Sequence, residues 1–141
     1  MANKYAAYGA TIEIGGAASG AASYSAVDGV TSLGIPSDSA DEIDVTSHDS
    51  ASGRKEYING LIDSEDLSIT LFYDAADAQH EELRAAAGGV AQHVKVTISG
   101  PASNTIHTFS ALVKSFAIEL PHDGPITATV GFRRTGADAV T

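Results

Sequence analysis

The sequence predicts a mainly β fold, an antiparallel β-sandwich or partly open barrel with one flanking α-helix. Three observations predict it. Short apolar alternations recur along the chain and are bounded by Gly, Pro, Asp and Ser turns. Helical spacing of apolar residues occurs in one segment, 74–87. Most connections between the alternations are short, which suits antiparallel neighbours and not crossovers. The sum is about seven or eight strands around one helix.

The elements follow in order. Residues 1–10 read as an N-terminal arm with Tyr5 and Tyr8 among small side chains. Thr11 to Ile14 alternates as a first strand, and Gly15 to Ser23 is a small-residue loop. Gly15 and Gly20 have phosphate-loop spacing, but Ala21 and Ala22 stand where Lys and Ser/Thr are required, so no phosphate grip is expected. Tyr24 to Ile35 reads as a strand broken at Asp28-Gly29 and ended by Pro36. Glu42 to Thr46 is the next strand. A long polar segment, 47–62, follows it, containing Arg54, Lys55 and Glu56 and closing on Tyr57, Ile58, Leu61 and Ile62. A loop of that length inside a compact domain is usually functional.

Leu67 to Tyr73 carries Leu67, Ile69 and Leu71 on one face; Phe72 on the other face predicts a contact with the helix or with another subunit. Asp74 to Ala87 predicts the helix, with Asp74 as N-cap, Asp77 at the third position and Gly88-Gly89 as terminator. Its apolar stripe is thin, so it should lie outside the sheet. His93 to Ser99 is a strand and Gly100 to Asn104 a turn. Thr105 to Leu120 is one long strand with a bulge near Lys114 and Ser115. Phe109, Ala111 and Val113 occupy odd positions and Phe116, Ile118 and Leu120 even ones, and an inserted residue is what exchanges the faces. Pro121 to Pro125 is a hairpin turn, Ile126 to Arg133 alternates cleanly, and 135–141 reads as a small polar tail.

The 141 residues suit a single domain with its own core. Cysteine is absent, which excludes disulfides, thiolate metal sites and a cysteine nucleophile. No apolar run approaches the roughly 18 residues of a membrane span, and Lys4 is not followed by the apolar run of a secretion signal. Eighteen acidic against eight basic residues give a net charge of −10, the wrong sign for stable binding to nucleic acid. The five histidines lack ligand spacing, and no G-x-S-x-G is present. Acidic pairs such as Asp41-Glu42 and Glu81-Glu82 suit strand and helix ends better than a carboxylate dyad. No catalytic, cofactor-binding or metal-binding residue is therefore expected.

Three segments carry a resemblance: Gly29-Val30-Thr31-Ser32-Leu33-Gly34-Ile35-Pro36, Ala40-Asp41-Glu42-Ile43-Asp44-Val45-Thr46, and Gly53-Arg54-Lys55-Glu56-Tyr57-Ile58-Asn59-Gly60-Leu61-Ile62-Asp63. With the strand and helix that follow, the chain from about Ala10 to Arg134 resembles the major tail tube proteins of long-tailed bacteriophages and gene transfer agents. The resemblance implies a virion protein, made in the host cytoplasm. It would assemble into stacked, hexameric rings whose sheets join in a barrel around a lumen that DNA passes during ejection. The implied partners are further copies of the chain, the tape measure protein, the tail terminator and the distal tail protein, without membrane and without specific nucleic-acid binding. It also implies an assembly loop, typically mobile in the free subunit, that maps onto 47–62. Arg54 and Lys55 would then face acidic surface on a neighbouring subunit, with Glu56 beside them in the inter-subunit contact, and Tyr57, Ile58 and Leu61 would be buried there. Two other readings remain at this stage: a monomeric β-sandwich binding module and a single-ring tail terminator or connector.

Overall fold

The computed structural model describes residues 8–100 and 103–141. Nine strands and one α-helix run in the order β1 (Thr11–Ala17), β2 (Ser25–Ala26), β3 (Val30–Ser32), β4 (Asp38–Asp44), β5 (Tyr57–Ser64), β6 (Asp66–Phe72), α1 (Ala78–Ala86), β7 (Gln92–Ile98), β8 (Thr105–Glu119) and β9 (Thr127–Val140). Seven strands form one antiparallel sheet in the order β2-β1-β7-β8-β9-β6-β3, while β4 and β5 pair only with each other.

Strands β8 and β9 are long enough to serve both halves of this curled sheet. Residues 105–111 of β8 pair with β7, and residues 127–133 of β9 pair with β6. The expected bulge is present: the β8–β9 register shifts between Val113 and Ser115. It turns Phe109, Ala111 and Val113 to the same interior as Phe116. There they meet Ile12, Ile14, Val94, Val96, Ala128, Val130, Phe132, Ile69 and Leu71 in one core. The opposite face of β6 and β9 carries Ser68, Thr70, Thr127 and Thr129, so the alternation separates a dry face from a wet one.

Several expectations need correction. The broken strand at 24–35 does not rejoin its own line. β2 pairs with β1 at one margin of the sheet and β3 pairs with β6 at the other, because the Val27–Gly29 turn carries the chain across the core. The tail expected at 135–141 is β9 up to Val140; Thr135 opposes Ser110, and Thr141 exchanges two backbone hydrogen bonds with Ile106. The N-terminal arm lies outside the described residues except for Tyr8, Gly9 and Ala10.

The helix begins one turn later than expected. Asp77, not Asp74, is the N-cap, and its Oδ1 accepts from the N–H groups of Gln79 at 2.9 Å and His80 at 3.3 Å. Asp74 closes a local turn instead, accepting from the N–H of Ala76 at 2.9 Å. The helix flanks the sheet as expected, but it contributes to the core, since Leu83 is buried within it. His80 is buried beside Leu83 with both ring nitrogens engaged: Nδ1 accepts from the Asp74 N–H at 3.1 Å and Nε2 lies 2.7 Å from the Asp28 carbonyl. That pairing requires the neutral tautomer protonated at Nε2. After Ala87 the chain turns at Gly88, whose φ of 77° a side chain would resist, and the Gly88 N–H donates to the Val113 carbonyl at 2.8 Å. The helix end is thereby fixed to the bulge of β8.

Candidate assembly surface

The segment expected as a long loop is largely a β-hairpin. Asp38–Asp44 pairs with Tyr57–Ser64 in antiparallel register, with Ile43 opposite Ile58 and Asp44 opposite Tyr57. Residues 57–62 therefore belong to a strand, and the true loop is the tip between Val45 and Glu56. β-branched side chains at Ile43, Val45 and Ile58 favour the extended backbone. The register shifts between Ala40 and Glu42, where Gly60 and Leu61 together oppose Asp41.

The tip holds itself together. Thr46 Oγ1 accepts from the Glu56 N–H at 2.8 Å, the Val45 N–H reaches the Glu56 carbonyl at 2.9 Å, and the Ser50 hydroxyl donates to the Glu56 carboxylate at 2.9 Å. Ala51–Gly53 forms a short 3₁₀ turn that ends with Ser52 and Gly53 at positive φ. A hydrogen bond from the Thr46 side chain, reinforced by its backbone N–H, holds the Asp44 carboxyl below its ordinary range.

The expected contact residues all lie on this hairpin, and all are exposed. Arg54 and Lys55 make no ion pair among the described residues, so their charge is available to a neighbour. Glu56 is partly engaged by Ser50 and serves the tip itself. Tyr57, Ile58 and Leu61 are 48%, 54% and 85% exposed, although each would gain from leaving water. Ile43, Val45 and Ile62 share this exposure and were not in the expected set. The alternation at 43–45 was read as a strand, but the loop assigned to 47–62 hid the partner strand that carries the apolar run at 61–62. Phe72 is half exposed and points away from the helix, which packs on the opposite face of the sheet; the contact with α1 is excluded.

The root of the hairpin holds charges that sequence reasoning missed. Arg133 Nη2 lies 2.6 Å from Asp63 and its Nη1 3.3 Å from Asp66; Lys114 Nζ lies 2.6 Å from the other Asp66 oxygen. Arg134, almost wholly buried, pairs with Asp38, which also accepts from the Ser64 hydroxyl at 2.7 Å. The hydrogen bond from Lys114, with the charges of Lys114 and Arg133, holds the Asp66 carboxyl below its ordinary range. A depressed carboxyl stabilises the fold above its unfolded pKa of about 4 and loses that contribution as pH falls through the folded value. Asp66→Asn is therefore expected to flatten the dependence of the unfolding midpoint on pH below about pH 4, followed by circular dichroism; wild-type behaviour in that range would exclude the pairing.

An apolar groove of about 740 Å³ opens between Leu33, Gly34 and Ile35 on one side and Val96 and Ile98 on the other, next to Tyr8. Among the described residues no group of three His, Asp or Glu side chains is arranged to hold a metal ion.

An antiparallel sheet whose outer margins carry no further strand among the described residues, together with an exposed apolar hairpin, defines a β protein with surface left to cover. The family comparison makes this specific: residues 13–141 match the family described as "Lambda phage tail tube protein, TTP", and the chain belongs to that family. It is a structural virion protein of the tail tube, a builder of oligomeric tube assemblies and not an enzyme. Among solved structures, the chain is similar to one from the "Tail of empty GTA particle computed with helical refinement, C6 symmetry", with a TM-score of 0.69, 20% identity, and coverage of 93% of this chain and 94% of that one. It is also similar to a chain of the SPP1 tail tube, with a TM-score of 0.66, 10% identity, and coverage of 94% of this chain and 76% of that one. A chain of an extracellular contractile injection system, described as "PVC sheath/tube terminator in extended state", has a TM-score of 0.69 at 10% identity, covering 99% of this chain and 98% of that one. At such identities these likenesses establish the fold alone. No curated protein sequence matches.

Proposed function

We propose that the subunits form hexameric rings that stack into a tube, and that DNA passes through its lumen during ejection. The carrying observation is the open wall made by β8 from residue 114 to 119, β9 from 127 to 133, β6 and β3. Both of its outer edges lack a strand partner among the described residues. An open edge is a row of unpaired N–H and C=O groups that favours continuation by another strand. The strands of this wall alternate in direction. With an even number of strands, the β3 edge of one subunit meets the β8 edge of a ring neighbour in antiparallel sense. Rotation can then close the sheet into a barrel without a mismatched edge.

The wet face of that wall carries Thr70, Thr129, Ala117, Ser68, Gly131 and Ser115 at paired positions. Its one arginine, Arg133, is already engaged by Asp63 and Asp66. Phe72 and Glu119 share the last row of this face; a lumen lined this way otherwise offers small polar groups and, among the described residues, no uncommitted cation, so phosphate would slide past without being retained. The hairpin would reach an adjacent subunit, burying Tyr57, Ile58 and Leu61 and placing Arg54 and Lys55 against its acidic surface. The C6 symmetry of the similar gene transfer agent tail supports the ring size. Tape measure, terminator and distal tail proteins would meet the tube at its interior and ends.

Negative-stain electron microscopy of the purified chain tests this. The expected result is tubes of stacked rings with a central channel. Single rings that never stack would favour a terminator, whose fold is shared; monomers at high concentration would overturn assembly altogether.

A further inference from the structure

We propose that the direction of the hairpin is set by an ion-pair anchor at its root, with Arg133 and Arg134 as positioning residues. The hairpin is joined to the sheet by two connections, residues 33–37 between β3 and β4 and the single residue Glu65 between the end of β5 and the start of β6. Its own ladder is closed down to that residue, because the Glu65 N–H donates to the Ser37 carbonyl at 2.9 Å. The hairpin is thus stiff within itself, and its natural pivot lies where Ser37 and Glu65, paired with each other, join it to the sheet.

Two adjacent arginines of β9 meet the root at that pivot. Neighbouring side chains in a strand leave on opposite faces. Arg134, on the buried side, holds Asp38, the first residue of β4. Arg133, on the wet side, holds Asp63 near the end of β5 and Asp66 at the start of β6. Either contact alone would leave the hairpin free to swing toward the other side. Together they take hold of both hairpin strands from both faces of β9. Ser64 adds a hydroxyl to the same Asp38 oxygen, and Lys114 from the β8 bulge neutralises the second oxygen of Asp66. The two root carboxylates of the hairpin, Asp38 and Asp63, are therefore both committed to β9, whereas the tip cations Arg54 and Lys55 stay uncommitted. Pre-setting the angle of an otherwise hinged arm lowers the ordering cost of docking it on a neighbour.

The functional part of this inference rests on the hairpin being an assembly element; the structural part does not. The chain has no cysteine, so Ser52→Cys at the tip and Asp123→Cys in the β8–β9 turn give two unique spin-label sites. Electron-resonance distances on the unassembled subunit are expected to show one narrow distribution. Asp38→Ala with Asp63→Ala should broaden it, Arg134→Met should do the same, and Arg134→Lys should restore most of the sharpness. Both carboxylates are half exposed or more, so the alanine pair keeps the test available if Arg134→Met fails to fold. Tube growth followed by light scattering should slow about tenfold in the alanine pair. A distribution as narrow as wild type in that variant would overturn the anchor, and wild-type growth despite a broadened distribution would overturn its positioning role. A wild-type chain that forms no tubes would instead sink the assembly reading and leave the distance result standing.

Discussion

Replacing both Ile58 and Leu61 by aspartate is expected to abolish tube formation while leaving the subunit folded. Neither side chain supports the monomer, since both are more than half exposed and stand on a hairpin apart from the core. Substitutions at such positions usually change stability by no more than about 0.5 kcal/mol. In a docked hairpin the same side chains would leave water, each contributing about 1.5–3 kcal/mol, and an aspartate in their place would carry an unpaired charge into the contact. The loss is then large enough to remove assembly at micromolar concentration. Sedimentation velocity and electron microscopy would show folded monomers where the wild type gives tubes. Normal tubes from the double variant would remove the hairpin from the interface. Glutamate at both Arg54 and Lys55 separates the charge component: slower growth would assign them to an acidic partner surface, and an unchanged rate would leave the work to apolar packing.

Phe132→Ala is expected to show the opposite pattern, a destabilised subunit. Phe132 is 1% exposed and sits opposite Leu67 on β6 and Val113 on β8, where the two halves of the sheet meet. Truncating a buried phenylalanine leaves a cavity that its neighbours close only in part, at a cost of about 3–5 kcal/mol. For a chain of this size the thermal midpoint should fall by about 10–15 °C. A fall below about 3 °C by circular dichroism would place Phe132 outside the core. Phe72→Ala is the internal control. Its ring lies on the wet face and is half exposed, so the midpoint should barely move.

Much of the sheet was legible because strand alternation is a local signal. The bulge at Lys114-Ser115 shows how far it reaches: the exchange of apolar residues from odd to even positions located a register shift that the paired strands contain. The helix was legible as an element but not in its phase. Asp74 and Asp77 are both chemically fit to cap, and only the packing of His80 and Leu83 into the core selects the second. The hairpin was misread for a related reason. Strand β5 contains Asn59, Gly60 and Asp63, residues that weaken a strand when judged alone, and it is held by its pairing with β4.

By itself, then, the sequence determined the mainly β class and the faces of the strands. Each follows from residue type and near-neighbour spacing. The tertiary structure alone decided that β2 and β3 leave one sequence segment for opposite margins of the sheet, and that one wall has no strand partner at either edge among the described residues. It also decided that Arg133 and Arg134 meet Asp63 and Asp38 across 70 and 96 residues of chain. Pairing over such separations is fixed by closure of the whole sheet, and no local pattern in the sequence records it.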